Sequence, residues 1–420
     1  MQPTPEIKGW CPGAYAPMAS NDGLLIRAKI VGSRIDAAQL AAVSAISADC
    51  GNGLVDLSQR AQLQIRGVSE ATLPDALHRL DAAHLLPRDA AAERVTNIIA
   101  APLSDDANAM ACELAGALQT DQALRALPAK FLFAIDGGAL PLSNVEADIR
   151  LSAIQLNNVA ITVAGADDFV VIVDRTEAVT NALKLARAFV TLRNGAFELR
   201  RVGRLVKALG AARLFSEAEL VAAHSRRPDS APRPFLGAQA EGGLCFAGVA
   251  APSGRWRASQ LEEMAALAAS QADGELRLTP WRAILIPAPS ADAAQSIIAA
   301  ARALDLIVSH QDPRLAVVAC PGAPECPQAR GDTRGALARL AQLAQKLAGK
   351  DGVGLHISGC AKGCARPGSA PVTLVADDDR RFNLVDAGGA SDAPQSKGLD
   401  IDAVESALAA RAREHLCQTH

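Results

Sequence analysis

Apolar and polar positions alternate between two rhythms along this chain. In 22–30, DGLLIRAKI, branched apolar residues follow a turn signal, the mark of a strand. From 36 to 48 the apolar residues take helical spacing behind Asp36, a capping residue. Two short strands follow at 54–57 and 62–66, then a helix near 72–85. The same order returns later, with strands at 243–249, 275–278 and 283–287 and helices at 258–270 and 290–304.

The return is a repeat. DAAQL then GLVDLSQRAQLQI in the first half matches RASQL then GELRLTPWRAILI in the second. Gln39 and Gln260, Leu40 and Leu261, Gly53 and Gly274, Leu57 and Leu278, and Ile65 and Ile286 are each 221 residues apart. A constant offset with a constant order of elements indicates an internal duplication. Each small α/β unit is followed by a larger segment. The first has strands at 97–101 and 130–136, a helix at 106–125, a hairpin turning across 165–168 and a helix at 177–193. The second has strands at 315–320 and 353–358, a helix at 333–348, a hairpin around 372–386 and a helix near 399–412. Residues 224–237, HSRRPDSAPRPFLG, are rich in Pro and Arg and read as a linker.

Charge narrows the function classes. With 42 basic and 45 acidic residues the net charge is −3, and aromatics are 3% of the chain. Neither a nucleic-acid nor a membrane-surface binder is expected from that balance. The first residues lack the apolar core of a signal peptide, and no window reaches membrane-span length, so a cytoplasmic protein is expected.

Of nine cysteines, Cys320, Cys326, Cys360 and Cys364 fall within 45 residues. Cys320 ends one strand, a helix intervenes, and the next strand delivers Cys360. A strand–helix–strand crossover makes those strands parallel, so both pairs leave the same sheet edge, where open α/β sheets place ligands. In a reducing compartment disulfides are disfavoured. Structural zinc prefers two to four residues between paired cysteines, and CPGAPEC has five. A [4Fe–4S] cluster accepts such spacing, and Gly359 and Gly363 let backbone amides approach its sulfides.

The C-x5-C and C-x3-C pairs, the second set in GCAKGCARP, resemble the sulfite and nitrite reductase family. The resemblance implies a pseudo-two-fold α+β architecture with ferredoxin-like half-domains. It would place half-domains at 1–90 and 238–308 and larger α+β domains at 91–223 and 309–420, around the 224–237 linker. It also implies a [4Fe–4S] cluster on the four cysteines, with Cys364 bridging to sirohaem in the reductases. LSQRAQLQIRGV resembles the signature whose arginine sits over the tetrapyrrole, pointing to Arg60; LPAKFLFAIDGG points to Lys130.

Departures from that pattern shift the expected chemistry. Leu132 stands where a second lysine is usual, Thr96 where an arginine is, Ala61 follows Arg60 in place of glutamine, and Lys362 replaces an Asn. The small-anion pocket is thinned while the tetrapyrrole-facing frame stays. GWCPGAYAPMASNDGLLIR, LTPWRAILIP and SGCAKGCARP resemble the branch of the superfamily that oxygenates precorrin-3A. That resemblance implies an oxidoreductase of aerobic cobalamin biosynthesis. It would use O2 and an NAD(P)H-linked or ferredoxin-type electron donor to hydroxylate C20 and close a γ-lactone on ring A, giving precorrin-3B. A mononuclear non-haem iron is the oxygen centre proposed for the branch, yet the seven histidines offer no two-His-one-carboxylate set. His356, four residues before Cys360, and Cys11 have no assigned role.

A carboxylate-rich macrocycle calls for cations, Arg above all. Arg27, Arg60, Arg66, Lys130 and Arg282 are the candidates, with Trp281 to cover one face; Arg60 and Lys130 are also the catalytic candidates. Two alternatives remain: a sirohaem-dependent sulfite or nitrite reductase, and a non-enzymatic tetrapyrrole-binding iron–sulfur protein.

Overall fold

The computed structural model describes residues 12–155, 157–225, 234–241, 243–378 and 381–418. Asp36 caps the helix Ala37–Cys50 by accepting from the Gln39 amide at 2.7 Å, while the Gln39 side chain accepts from the Asp36 amide. Its counterpart, Ala258–Gln271, begins 221 residues later. The two helices pack together in one core with Leu40, Val43, Leu261 and Met264.

Two five-stranded sheets flank this core, and each borrows a strand from the other half. The first runs Met18–Ser20, Gly23–Ala28, Leu63–Val68, Leu54–Leu57 and Arg255–Arg257; the second runs Gly237–Glu241, Leu244–Ala250, Ala283–Pro287, Glu275–Leu278 and Arg34–Asp36. Trp256 pairs with Val55, and Ile35 with Leu276. Both Trp256 and Ile35 are fully buried, so the exchanged arms are part of the core.

The larger segments each build a sheet that starts parallel and ends antiparallel. In the first, Ile98–Ala100, Phe133–Asp136 and Ile149–Ala153 are parallel neighbours, followed by Asn158–Val163, Phe169–Asp174 and Ala223–His224. In the second, Val317–Ala319, Leu355–Ser358 and Val372–Asp378 are parallel, then Arg381–Asp386 and Ser396–Leu399. The duplicated, mixed α+β architecture expected from the repeat is what forms.

Local differences have physical causes. The helix predicted over 106–125 is Asp105–Thr120 followed by the 3-10 turn Ala123–Ala126. Asp121 separates them because its carboxylate accepts the Ala123 and Leu124 amides. The predicted linker ends in strand at both sides, Ala223–His224 and Gly237–Glu241; residues 226–233 lie outside the described residues. Among the described residues, no helix is long and apolar enough to cross a membrane.

Candidate functional site

The four cysteines meet at the C-terminal edge of the second large sheet. Val317–Ala319 and Leu355–Ser358 run parallel with Ala319 opposite Ile357, so Cys320 and Gly359–Cys360 emerge side by side. The Gly359 amide donates to the Cys320 sulfur at 3.2 Å, and the Arg330 amide donates to the Gly359 carbonyl at 2.9 Å. Only glycine fits at 359: a Cβ there would lie 2.6 Å from that of Ala329. Cys320 is buried, Cys326 and Cys360 half-buried and Cys364 exposed, all as free thiols. Burial raises both the Cys320 and Cys364 thiols. Neighbouring thiols push each further up, Cys326 and Cys360 acting on Cys320 and all three others acting on Cys364. The four sulfurs therefore share one neighbourhood.

Among the described residues no three His, Cys, Asp or Glu side chains stand close enough to hold one metal ion. The Gly359 amide aimed at the Cys320 sulfur is the kind of contact that suits a thiolate-held cluster. Beneath the Cys360–Cys364 loop lies His356, fully buried, with neither ring nitrogen hydrogen-bonded among the described residues. Burial, then the Arg366 charge, pushes its pKa down to about 4.

The loop between Cys320 and Cys326 is fastened to the first half. Glu325 accepts the Asn21 amide on its carbonyl at 2.9 Å and holds Arg255 with its carboxylate at 2.5 Å. Arg255 also pairs with Asp56 at 2.9 Å, and Arg66 reaches Asp56 at 3.2 Å and Asp22 at 2.8 Å. Although burial works against it, the Arg334, Arg255 and Arg66 guanidiniums hold the Asp56 carboxyl at about 2. Burial lowers Arg334 to about 10, with Asp56 opposing that fall.

Of the predicted cations, Arg66 joins this network directly. Arg66 is 3% exposed and its guanidinium is committed to Asp22, Asp56 and Ser20, which gives it a structural place. Arg60 donates to the Lys130 carbonyl at 3.0 Å, so those two candidates are brought together. Arg27 is 5% exposed, and its Nε has no hydrogen-bond partner among the described residues. Arg282 donates to the Ser253 carbonyl at 3.1 Å and has its pKa lowered by burial. Trp281 is half-buried. It stacks on Phe235 at 4.9 Å within a cluster that joins Leu103 and Leu140 of the first half to Phe246 and Leu285 of the second. Leu132 belongs to the core of the first large domain, and Arg94 turns outward to the Arg125 carbonyl.

Sequence reading missed Asp56, Arg255, Glu325 and Arg334. One signal was present: Arg34 and Arg255, which open the two exchanged arms, are 221 residues apart like the other repeat positions.

Fold and site define a duplicated α+β protein whose second copy alone carries a convergent four-thiol edge. The Nitrite/Sulfite reductase ferredoxin-like half domain family matches residues 16–83 and 238–304. A "Precorrin-3B synthase" of Sinorhizobium sp is 30% identical over 429 residues, covering 96% of this chain and 87% of that protein. A "Ferredoxin--nitrite reductase" of Synechococcus elongatus is 29% identical, covering 76% of this chain and 70% of that one. In fold, the Mycobacterium tuberculosis NirA protein matches with a TM-score of 0.70 at 21% identity, over 91% of this chain and 79% of that chain. This chain belongs to the precorrin-3B synthase family within the sulfite and nitrite reductase superfamily, and it is an enzyme, an oxidoreductase.

Proposed function

We propose that the enzyme converts precorrin-3A to precorrin-3B. One atom of O2 enters as the C20 hydroxyl, the other leaves as water, two electrons come from an NAD(P)H-linked or ferredoxin-type donor, and an acetate side chain closes the ring A γ-lactone. What supports this most is similarity over 96% of the chain to a protein named for that synthesis. Two further observations support it: Arg60 and Lys130 are kept and brought together, and Leu132 packs in the core.

Cys320, Cys326, Cys360 and Cys364 would hold a [4Fe–4S] cluster, which supplies electrons one at a time when bound. Arg60, held against Lys130, presents with it two cations to the substrate carboxylates. Arg27, buried with an unpartnered Nε, gains a charge-assisted hydrogen bond when a carboxylate arrives. Arg282, whose charge burial disfavours, gains its counter-ion the same way. Oxygen activation, by a mononuclear non-haem iron or otherwise, is assigned to no residue here.

Incubation with precorrin-3A, a reductant and labelled O2 tests the reading. Label at C20 is expected, and an unlabelled product overturns it. The 29% identity to a nitrite reductase keeps a second reading, sirohaem-dependent sulfite or nitrite reduction. An intense Soret band in stoichiometric amount after anaerobic purification would favour that one, whereas a broad cluster absorbance alone favours precorrin oxidation.

A further inference from the structure

His310 takes no part in the chemistry above, yet its ring holds a strap across the second half. Its Nε2 accepts the backbone amides of both Phe235 and Leu236, at 2.9 and 3.1 Å. A ring nitrogen that accepts must carry its lone pair, so the imidazole is neutral with its proton on Nδ1. Burial, which lowers the His310 pKa, favours the same state.

Fixing that backbone fixes the Phe235 ring. It meets the His310 ring edge-on, with centroids 4.8 Å apart and planes at 88°, and it also stacks on Trp281 with planes at 24°. Trp281 belongs to the turn Thr279–Pro280–Trp281–Arg282, closed by the Arg282 amide on the Thr279 carbonyl at 3.1 Å. Arg282 sits in the left-handed region at φ 63°, which a long side chain rarely adopts. Such a conformation persists only where its surroundings over-determine it. Below the turn, the Arg282 side chain crosses Gly254, where a Cβ would come within 2.7 Å of its Cδ. Trp281, within the turn, stacks on Phe235.

We propose that His310 is a positioning residue for this turn, acting through Phe235 and Trp281 to hold Arg282 where a tetrapyrrole carboxylate is bound. The last clause rests on the function proposed above. Protonation of His310 would remove the acceptor for both amides and release the strap. Among the described residues, the side chains that share a cavity wall with His310, from Phe235 and Gln239 to Val308, Ser309 and Gln311, carry no titratable group. Asp312, two residues on, is paired with Arg314 at 2.7 Å.

The test uses the full-length protein and uroporphyrin III, a tetrapyrrole octacarboxylate, with Trp281 emission taken as the difference from a Trp281→Phe variant. His310→Phe keeps an aromatic ring and removes the acceptor; His310→Gln restores an acceptor. Wild-type emission should hold steady around pH 8 and change only as pH falls below 6.5, the ordinary imidazole value, because burial lowers the His310 pKa. In His310→Phe that pH dependence should vanish and porphyrin affinity should fall roughly two- to tenfold, with His310→Gln recovering most of it. Unchanged emission and affinity in His310→Phe at every pH overturn the proposal. If emission responds but neither His310→Phe nor Arg282→Ala alters porphyrin affinity, the positioning stands and the tetrapyrrole reading of the turn falls.

Discussion

Replacing Asp56 by Asn should destabilise the protein severely, and the loss should be pH-dependent in a defined sense. Asp56 lies on Leu54–Leu57, the strand that receives the exchanged arm, with its side chain 13% exposed. It is the shared partner of Arg66, Arg255 and Arg334. Neutralising it leaves three guanidiniums sharing Asp22 and Glu325. Breaking a buried pair in this way costs about 3–5 kcal/mol. The carboxyl is held at about 2 against an ordinary 3.8. That depression corresponds to about 2 kcal/mol of stability contributed by ionised Asp56. Because the folded-state value is the lower one, this contribution is complete above the ordinary carboxylate range. It drains away as pH falls from about 4 through about 2. Urea unfolding, followed through Trp256 on the facing arm, measures both effects. At pH 7, Asp56→Asn should unfold several kcal/mol more easily than wild type, and the gap should narrow below pH 4. A variant within about 0.5 kcal/mol of wild type at pH 7 would refute the network's importance.

Cys360→Ser should abolish cluster assembly, and an intact cluster absorbance in that variant would remove the residue from the ligand set. Arg60→Ala should weaken uroporphyrin binding about ten- to a hundredfold, the value of one charge-assisted hydrogen bond, with fluorescence quenching as the assay and unchanged affinity as the refutation. Trp256→Ala, emptying a fully buried site on the exchanged arm, should cost about 3–5 kcal/mol by denaturant unfolding. Glu325→Gln should lower cluster occupancy without unfolding the second half; iron content equal to wild type would show that its tie to Arg255 does not set the loop.

Much of the fold was legible because local signals and the repeat agreed. Asp36 caps its helix where the pattern placed it, and the cysteine-bearing strands are parallel as the crossover requires. The short strands Arg34–Asp36 and Arg255–Arg257 were not legible. Three residues carry no period, and their partners lie in the other half, so only the 221-residue offset marks them. The site divided along the same line. The cysteines announce themselves by type and spacing, whereas an arginine's role depends on which carboxylate it meets after folding. Arg66 and Arg27 both lie on strands of the first half-domain sheet, yet one finds Asp22 and Asp56 while the other's Nε finds no hydrogen-bond partner among the described residues. No property of either residue alone separates those fates.

The duplication also explains why one copy can specialise. In the first large sheet, Ile98–Ala100 and Phe133–Asp136 are parallel and end at the edge equivalent to the cysteine edge. There the chain continues with Ala101 and with Gly137–Gly138 in place of Cys320 and Gly359–Cys360. Asp136, at that edge, is buried against Arg150 at 3.1 Å, so its charge is settled internally. The first copy thus keeps the backbone of the site without its thiols, and brings Lys130 against Arg60. Strand exchange binds the copies: the Arg255 arm joins the first half's sheet and also grips Glu325 in the cysteine loop. A change in the first half at Asp56 therefore reaches the thiols through one guanidinium. Coupling of that kind predicts that Asp56→Asn loses cluster occupancy as well as stability, whereas the cavity variant Trp256→Ala, which leaves the Arg255 ion pairs intact, loses stability with a smaller change in iron content.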